Sequence, residues 1–180
     1  MTSTTTLLER NRLFSEKFGA AELPILPKLR SVVLTCGDAR VDPAHVLGLE
    51  LGDAVVIRNN GGRVTREALE EIASLVFLVR QMEGGKKGHF ELVLMQHTQC
   101  GSERFASPEI QHALKENLGI DVSETAIHDH EQSLKEDIQR LKAASEIPDY
   151  VIVSALIYDV KTGSAREIVA PRRLGDIVLD

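Results

Sequence analysis

The chain holds only two cysteines, and the residues around them are the ones best suited to chemistry. His97 precedes Cys100 by three positions, close enough for one turn of backbone to bring an imidazole and a thiolate onto the same ion. Cys36 is followed at two and four positions by Asp38 and Arg40. Two sulfurs and one imidazole suit Zn2+, a borderline-soft ion with a tetrahedral preference, and leave a fourth position open, as catalytic zinc sites do. Asp38 either fills that position or pairs with Arg40 and leaves it to water. A bidentate arginine–carboxylate pair is strong and directional. It would hold Asp38 ionised and ready to accept a hydrogen bond from a zinc-bound hydroxide, which zinc makes available by lowering the pKa of water to about 7.

These residues act together only if the fold gathers them. Residues 31–35 (SVVLT) read as a β-branched strand ending at Cys36, and residues 90–96 (FELVLMQ) as a strand ending at His97. Residues 54–58 (AVVIR) read as another buried strand, and residues 150–160 as a fourth. A turn at 161–163 leads to an antiparallel fifth strand over 166–170. Helices are expected over 6–18, with Thr6 and Glu9 at capping-box spacing and Gly19 as the stop, and from Asp42-Pro43 to about Leu49. Further helices are expected over 65–82, 108–118 and 129–144. Strands alternating with helices predict an α/β fold: a mostly parallel central sheet of four strands plus an antiparallel edge strand, flanked by helices. Ligands of such sheets sit beyond the carboxyl ends of the strands, where Cys36, His97 and Cys100 would meet if their strands are neighbours.

Composition narrows the function. With 180 residues, 43% of them hydrophobic, the chain is expected to form one domain, 1–180. A net charge of −6 argues against a nucleic-acid partner, and 4% aromatic residues with no tryptophan argue against base-stacking platforms. No apolar run is long enough to cross a membrane, and residues 1–12 lack the apolar core of a secretory signal. A cytoplasmic location with reduced thiols is therefore expected. A thiol-redox role is disfavoured by the lack of a Cys-x-x-Cys pair. His128 and His130 read as solvated loop residues, residues 129–142 as a solvated charged helix, and Gly61-Gly62 as a tight turn. Leu75 to Val79 is apolar on all sides, which suits a deeply buried helix or a subunit interface.

With these features in view, the chain resembles the β-class carbonic anhydrases over about residues 5–175. Cys36-Gly37-Asp38-Ala39-Arg40 is similar to that family's Cys-x-Asp-x-Arg motif, and His97-Thr98-Gln99-Cys100-Gly101 to its His-x-x-Cys-Gly motif. Residues 52–62 resemble the stretch around its Arg-Asn-Ala-Gly segment, and residues 158–163 its last hairpin. The resemblance implies hydration of carbon dioxide to bicarbonate and a proton, with Cys36, His97 and Cys100 as zinc ligands and Asp38 and Arg40 as the catalytic dyad. It implies that Asp38 binds zinc in a closed state or pairs with Arg40 in an open one. It also implies a homodimer or a multiple of dimers, with the N-terminal helix 6–18 packed on the partner subunit. Asn60, Gln99 and Gly37 depart from the usual residues beside the pocket, and related enzymes hydrolyse carbonyl sulfide or carbon disulfide. Two other readings remain open: one of those linear isosteres as substrate, or a non-catalytic zinc- or bicarbonate-binding protein.

Overall fold

The computed structural model describes residues 2–179. Five strands form one sheet in the order β2-β1-β3-β4-β5: β1 (Ser31–Cys36), β2 (Ala54–Asn59), β3 (Glu91–His97), β4 (Ile152–Tyr158) and β5 (Ala165–Arg173). The first four pair in parallel, and β5 runs antiparallel along β4. β1 is buried along its whole length between β2 and β3, which explains its unbroken apolar run. The chain runs from β1 to β2 on one side and then crosses to β3 on the other. The gap beyond β1 and β3 is thus the switch point of the sheet, where open α/β sheets bind ligands. Thr35 Oγ1 donates to Met95 O at 2.8 Å and fixes the two strands at this end.

Five helices accompany the sheet: α1 (Ser3–Ser15), α2 (Pro43–Val46), α3 (Arg66–Met82), α4 (Pro108–Leu118) and α5 (His130–Ala143). The main core joins Val32, Leu34, Leu92, Leu94 and Val153 of the sheet to two helical stripes. Ala68, Leu69, Ile72, Val76 and Val79 come from α3, and Leu134, Ile138 and Leu141 from α5. Their spacing is that of one helix face. Asp42 caps α2 through Ala44 N, with Pro43 at its first position, as the sequence predicts; α2 then ends at Val46, short of Leu49.

Three expectations need correction. Helix α1 starts a turn early: Thr2, rather than Thr6, is its N-cap and accepts from Thr5 N at 3.3 Å, and the helix ends at Ser15 before reaching Gly19. Strand β2 is an edge strand rather than a buried one, with Val56 39% exposed. An apolar strand has the same composition whether its neighbour lies in the same chain or in another. The charged helix α5 is not uniformly solvated, because Asp137 is 0% exposed and meets Arg63, itself 2% exposed.

Arg63 donates to Asp137 Oδ2 at 2.8 Å, to Glu136 Oε2 at 3.2 Å and to Ala126 O. It thereby ties the segment after β2 to α5 and to the turn preceding it. Burial pushes the Asp137 carboxyl above its usual range even though Arg63 and Arg140 pull it down. A buried ion pair adds little net stability over well-packed apolar residues of the same size. Removing one partner is another matter, since it strands a buried charge. Asp137→Ala is expected to lower unfolding free energy by about 3–5 kcal/mol, and Arg63→Met with Asp137→Leu to lose much less, both read by urea denaturation. Equal losses in the two proteins would contradict this account.

Candidate metal centre

Register brings the ligand candidates together. Thr35 is level with Met95, so Cys36 at the end of β1 lies beside the last residues of β3, Gln96 and His97. The chain turns sharply after His97 through Gln99, which has a φ of 55°, and returns Cys100 to the same spot. The ligand atoms of Cys36, His97 and Cys100 all lie within 4.8 Å of one another, and all three residues are buried. The two sulfurs are 3.7 Å apart. Two thiolates at about 2.3 Å from one ion with tetrahedral angles would stand about 3.8 Å apart. His97 Nδ1 lies 3.0 Å from Thr98 O, to which its N–H donates in the Nδ1–H tautomer. Nε2 is then left with its lone pair, buried and without a hydrogen-bond partner among the described residues. A histidine fixed at one nitrogen and unpartnered at the other is suited to ligate a metal. The donor set and its spacing therefore fit zinc.

The electrostatics of the cluster suit a cation. The contact with Cys100, with help from His97 and the backbone at Asp38 and Gly61, lowers the Cys36 pKa against the effect of burial. The same contact, together with burial, raises Cys100. Burial disfavours a charge on His97, but the nearby Cys36 sulfur and Asp38 carboxylate outweigh it and raise the imidazole pKa.

Asp38 and Arg40 stand at the mouth. Arg40 Nε and its backbone N–H each donate to Asp38 Oδ1 at 2.9 Å, and Nη2 donates to Oδ2 at 2.6 Å. This bidentate grip holds the Asp38 carboxyl well below the usual carboxylate range. Oδ2 remains 4.0 Å from His97 Nε2, so the carboxylate faces the cluster while bound to arginine. Arg40 Nη2 also donates to Gln99 O at 3.0 Å, joining the two ligand-bearing loops. Of the two arrangements left open by the sequence, the structure adopts the Asp38–Arg40 pair.

Other supporting residues were not read from the sequence in these roles. Arg58 holds the segment after Cys36: Nε donates to Cys36 O at 3.0 Å, Nη2 to Asp38 O at 2.6 Å and Nη1 to Asp42 Oδ2 at 3.2 Å. Gly61-Gly62 is more than a tight turn, because both have positive φ and a Cβ at Gly62 would lie 2.9 Å from the Thr35 backbone. The loop can approach β1 this closely only without a side chain there. Glu103 Oε1 accepts from Cys100 N at 2.9 Å, a reciprocal cap that Cys in place of Ser or Thr at the N-cap hides from the sequence. His130 is not a solvated loop residue: it opens α5 and contacts both Gln96 and Glu103. His45, His112 and His128 are exposed and outside the cluster.

Comparisons with known proteins agree with this geometry. Residues 31–154 match the family model described as carbonic anhydrase. The chain is 27% identical over 170 residues to beta-carbonic anhydrase 1 of Mycobacterium tuberculosis, covering 93% of this chain and 99% of that protein. It is 28% identical to a carbon disulfide hydrolase of Saccharolobus solfataricus, with 84% of each chain covered. The crystal structure of a carbonic anhydrase from Streptococcus mutans superposes with a TM-score of 0.77 at 36% identity, covering 93% of this chain and 98% of that one. The matched segment runs from β1 into the start of β4 and contains all three members of the Cys–His–Cys cluster; the chain belongs to the carbonic anhydrase family, in its β class, a family of zinc lyases.

Proposed function

We propose that this chain catalyses the zinc-dependent, reversible hydration of carbon dioxide to bicarbonate and a proton. The observation that carries the reading is a Cys36–His97–Cys100 cluster of zinc dimensions with an ionised Asp38, held by Arg40, at its edge. Cys36, His97 and Cys100 are the proposed metal ligands, and Asp38 and Arg40 the proposed catalytic pair. When bound, zinc supplies the Lewis acidity that yields a nucleophile from water near neutral pH. Asp38, engaged by Arg40, would not be needed as a fourth ligand to a metal held by Cys36, His97 and Cys100. Its ionised carboxylate, facing the cluster 4.0 Å from His97 Nε2, would accept a hydrogen bond from the nucleophile and orient it. Arg40 keeps the carboxylate ionised and in place. Val41 and Ile127 pack with the two cysteines in one buried apolar cluster.

The first test is stopped-flow carbon dioxide hydration with zinc-loaded protein beside Cys36→Ser. One zinc per chain and rapid hydration are expected in the parent, with both reduced in the variant. Full zinc and full activity in Cys36→Ser would refute the assignment. Asp38→Asn is expected to keep its zinc while kcat/KM falls by about 10²-fold or more, the scale of a positioned proton acceptor. An unchanged kcat/KM would remove Asp38 from the mechanism.

The carbon disulfide hydrolase relative supports a second reading: carbonyl sulfide or carbon disulfide as substrate at the same site. Both are linear isosteres of carbon dioxide, and turnover of each gas by the same preparation separates the readings. Rapid sulfide release with negligible hydration would favour the second.

We also propose that the working form is a homodimer. No residue of α1 is buried, and Leu7, Leu8, Leu13 and Phe14 all stand exposed. On α3 the all-round apolar segment buries Val76 and Val79 but leaves Phe77 60% and Leu78 53% exposed. An apolar groove of about 220 Å³ lies beside them, lined in part by Ile25, Leu78, Met82 and Phe90. A second copy of the chain, with its own α1, would cover this surface. Sedimentation equilibrium is expected to give twice the chain mass for the parent and the chain mass for Phe77→Glu with Leu78→Glu. A monomeric parent would overturn the dimer.

A further inference from the structure

Helix α5 begins at the back of the metal cluster, and its first residue joins the two ends of the ligand-bearing segment. His130 Nδ1 lies 2.9 Å from Gln96 Oε1, and Gln96 immediately precedes the ligand candidate His97. His130 Nε2 lies 3.1 Å from Glu103 Oε1, the same oxygen that accepts the backbone N–H of Cys100 at 2.9 Å. One imidazole thus bridges the residue before the first ligand of the segment and the residue that holds the last.

We propose that His130 is a positioning residue for the metal, fixing the 97–100 segment in its zinc-binding geometry through Glu103 and Gln96. The inference rests on the zinc reading above. A carboxylate only accepts, so the ring donates from Nε2 to Glu103. Its Nδ1 side is satisfied by a second ring proton, or by the Gln96 amide turned to present its N–H. In either arrangement the ring is bonded at both nitrogens and has a single orientation. Its backbone is equally fixed: Asp129 caps α5 by accepting from Gln132 N at 2.8 Å, and Leu134, Ile138 and Leu141 anchor the helix in the core. The rigid part of the fold thereby reaches the metal loop. Gln96 is fully buried and its Nε2 has no partner among the described residues, so its contact with His130 holds the amide. Without His130, a buried amide next to His97 loses that partner, and Glu103 loses one of the two donors that aim it at Cys100.

The test compares zinc dissociation in the parent, His130→Ala, His130→Gln and Glu103→Gln by competition with a chromogenic chelator. Urea denaturation of the metal-free proteins and the thiolate-to-cobalt charge-transfer band of cobalt-substituted protein complete it. His130→Ala and Glu103→Gln are expected to weaken zinc binding by about 10–100-fold, the usual effect of losing a group that orients a metal ligand. The cobalt band is expected to shift in His130→Ala while metal-free stability stays close to the parent's. His130→Gln, whose amide nitrogen reaches the position of Nε2, is expected to recover most of the affinity. Parent-like zinc affinity and an unshifted band in His130→Ala would overturn the inference while leaving the zinc reading intact. So would a weakening that merely tracks lower metal-free stability and is not rescued by His130→Gln. A parent protein with no zinc affinity would overturn both.

Discussion

The parallel pairing of β1 with β3 is the constraint on which the site depends. Sixty-four positions separate Cys36 from Cys100, and only strand adjacency at the centre of the sheet brings their sulfurs to 3.7 Å. The energy behind that adjacency is spread along both strands and through the core against α3 and α5. No single local contact could gather three buried polar groups, two of them thiols whose ionised forms repel each other. The Cys–His–Cys cluster, which could hold a metal, is thus a product of the hydrophobic core, located where the core ends.

Around this pairing, hydrogen bonds act where the strands stop. Arg58 grips the carbonyls that leave β1, and Arg40 joins that segment to the carbonyl of Gln99. Thr98 receives Val160 N on its hydroxyl and donates its own N–H to Tyr158 O, fastening the end of β3 to β4. Each loop is held by partners from another element. Loops are normally the most mobile part of a fold, and these have been given much of the order of a strand. Such order suits a site whose ligands must stay within tenths of an ångström of their geometry.

Much of this was legible in the sequence. The strand runs, the helix periodicity of 65–82 and the Cys-x-Asp-x-Arg and His-x-x-Cys spacings are local signals, and they located the sheet and the cluster. What escaped was what depends on distant partners. Arg63 and Asp137 are 74 positions apart, and each reads as an ordinary surface charge until the fold buries them together. His130 and Glu103 are 27 positions apart, and His130 sits in a polar stretch that gives no hint of the sheet edge behind it. The β2 edge was missed for a related reason: an apolar strand does not say whose surface covers it. The shifted start of α1 is a local error, since Thr2 and Thr6 are both acceptable caps and only hydrogen bonding separates them.

The two glycines beside the cluster divide the pocket into a fixed floor and an adjustable rim. A methyl group at position 62 would collide with the backbone of Thr35 and Cys36, so that wall cannot be remodelled without moving a ligand strand. At position 37 an added Cβ would meet nothing nearer than Asn59 O at 3.8 Å, an ordinary contact. A Cβ can therefore be added at 37, between Cys36 and Asp38, without pressing on the strand that carries the first sulfur. One side of the Cys–His–Cys cluster is thus sterically closed to a larger residue, and the other is open to one.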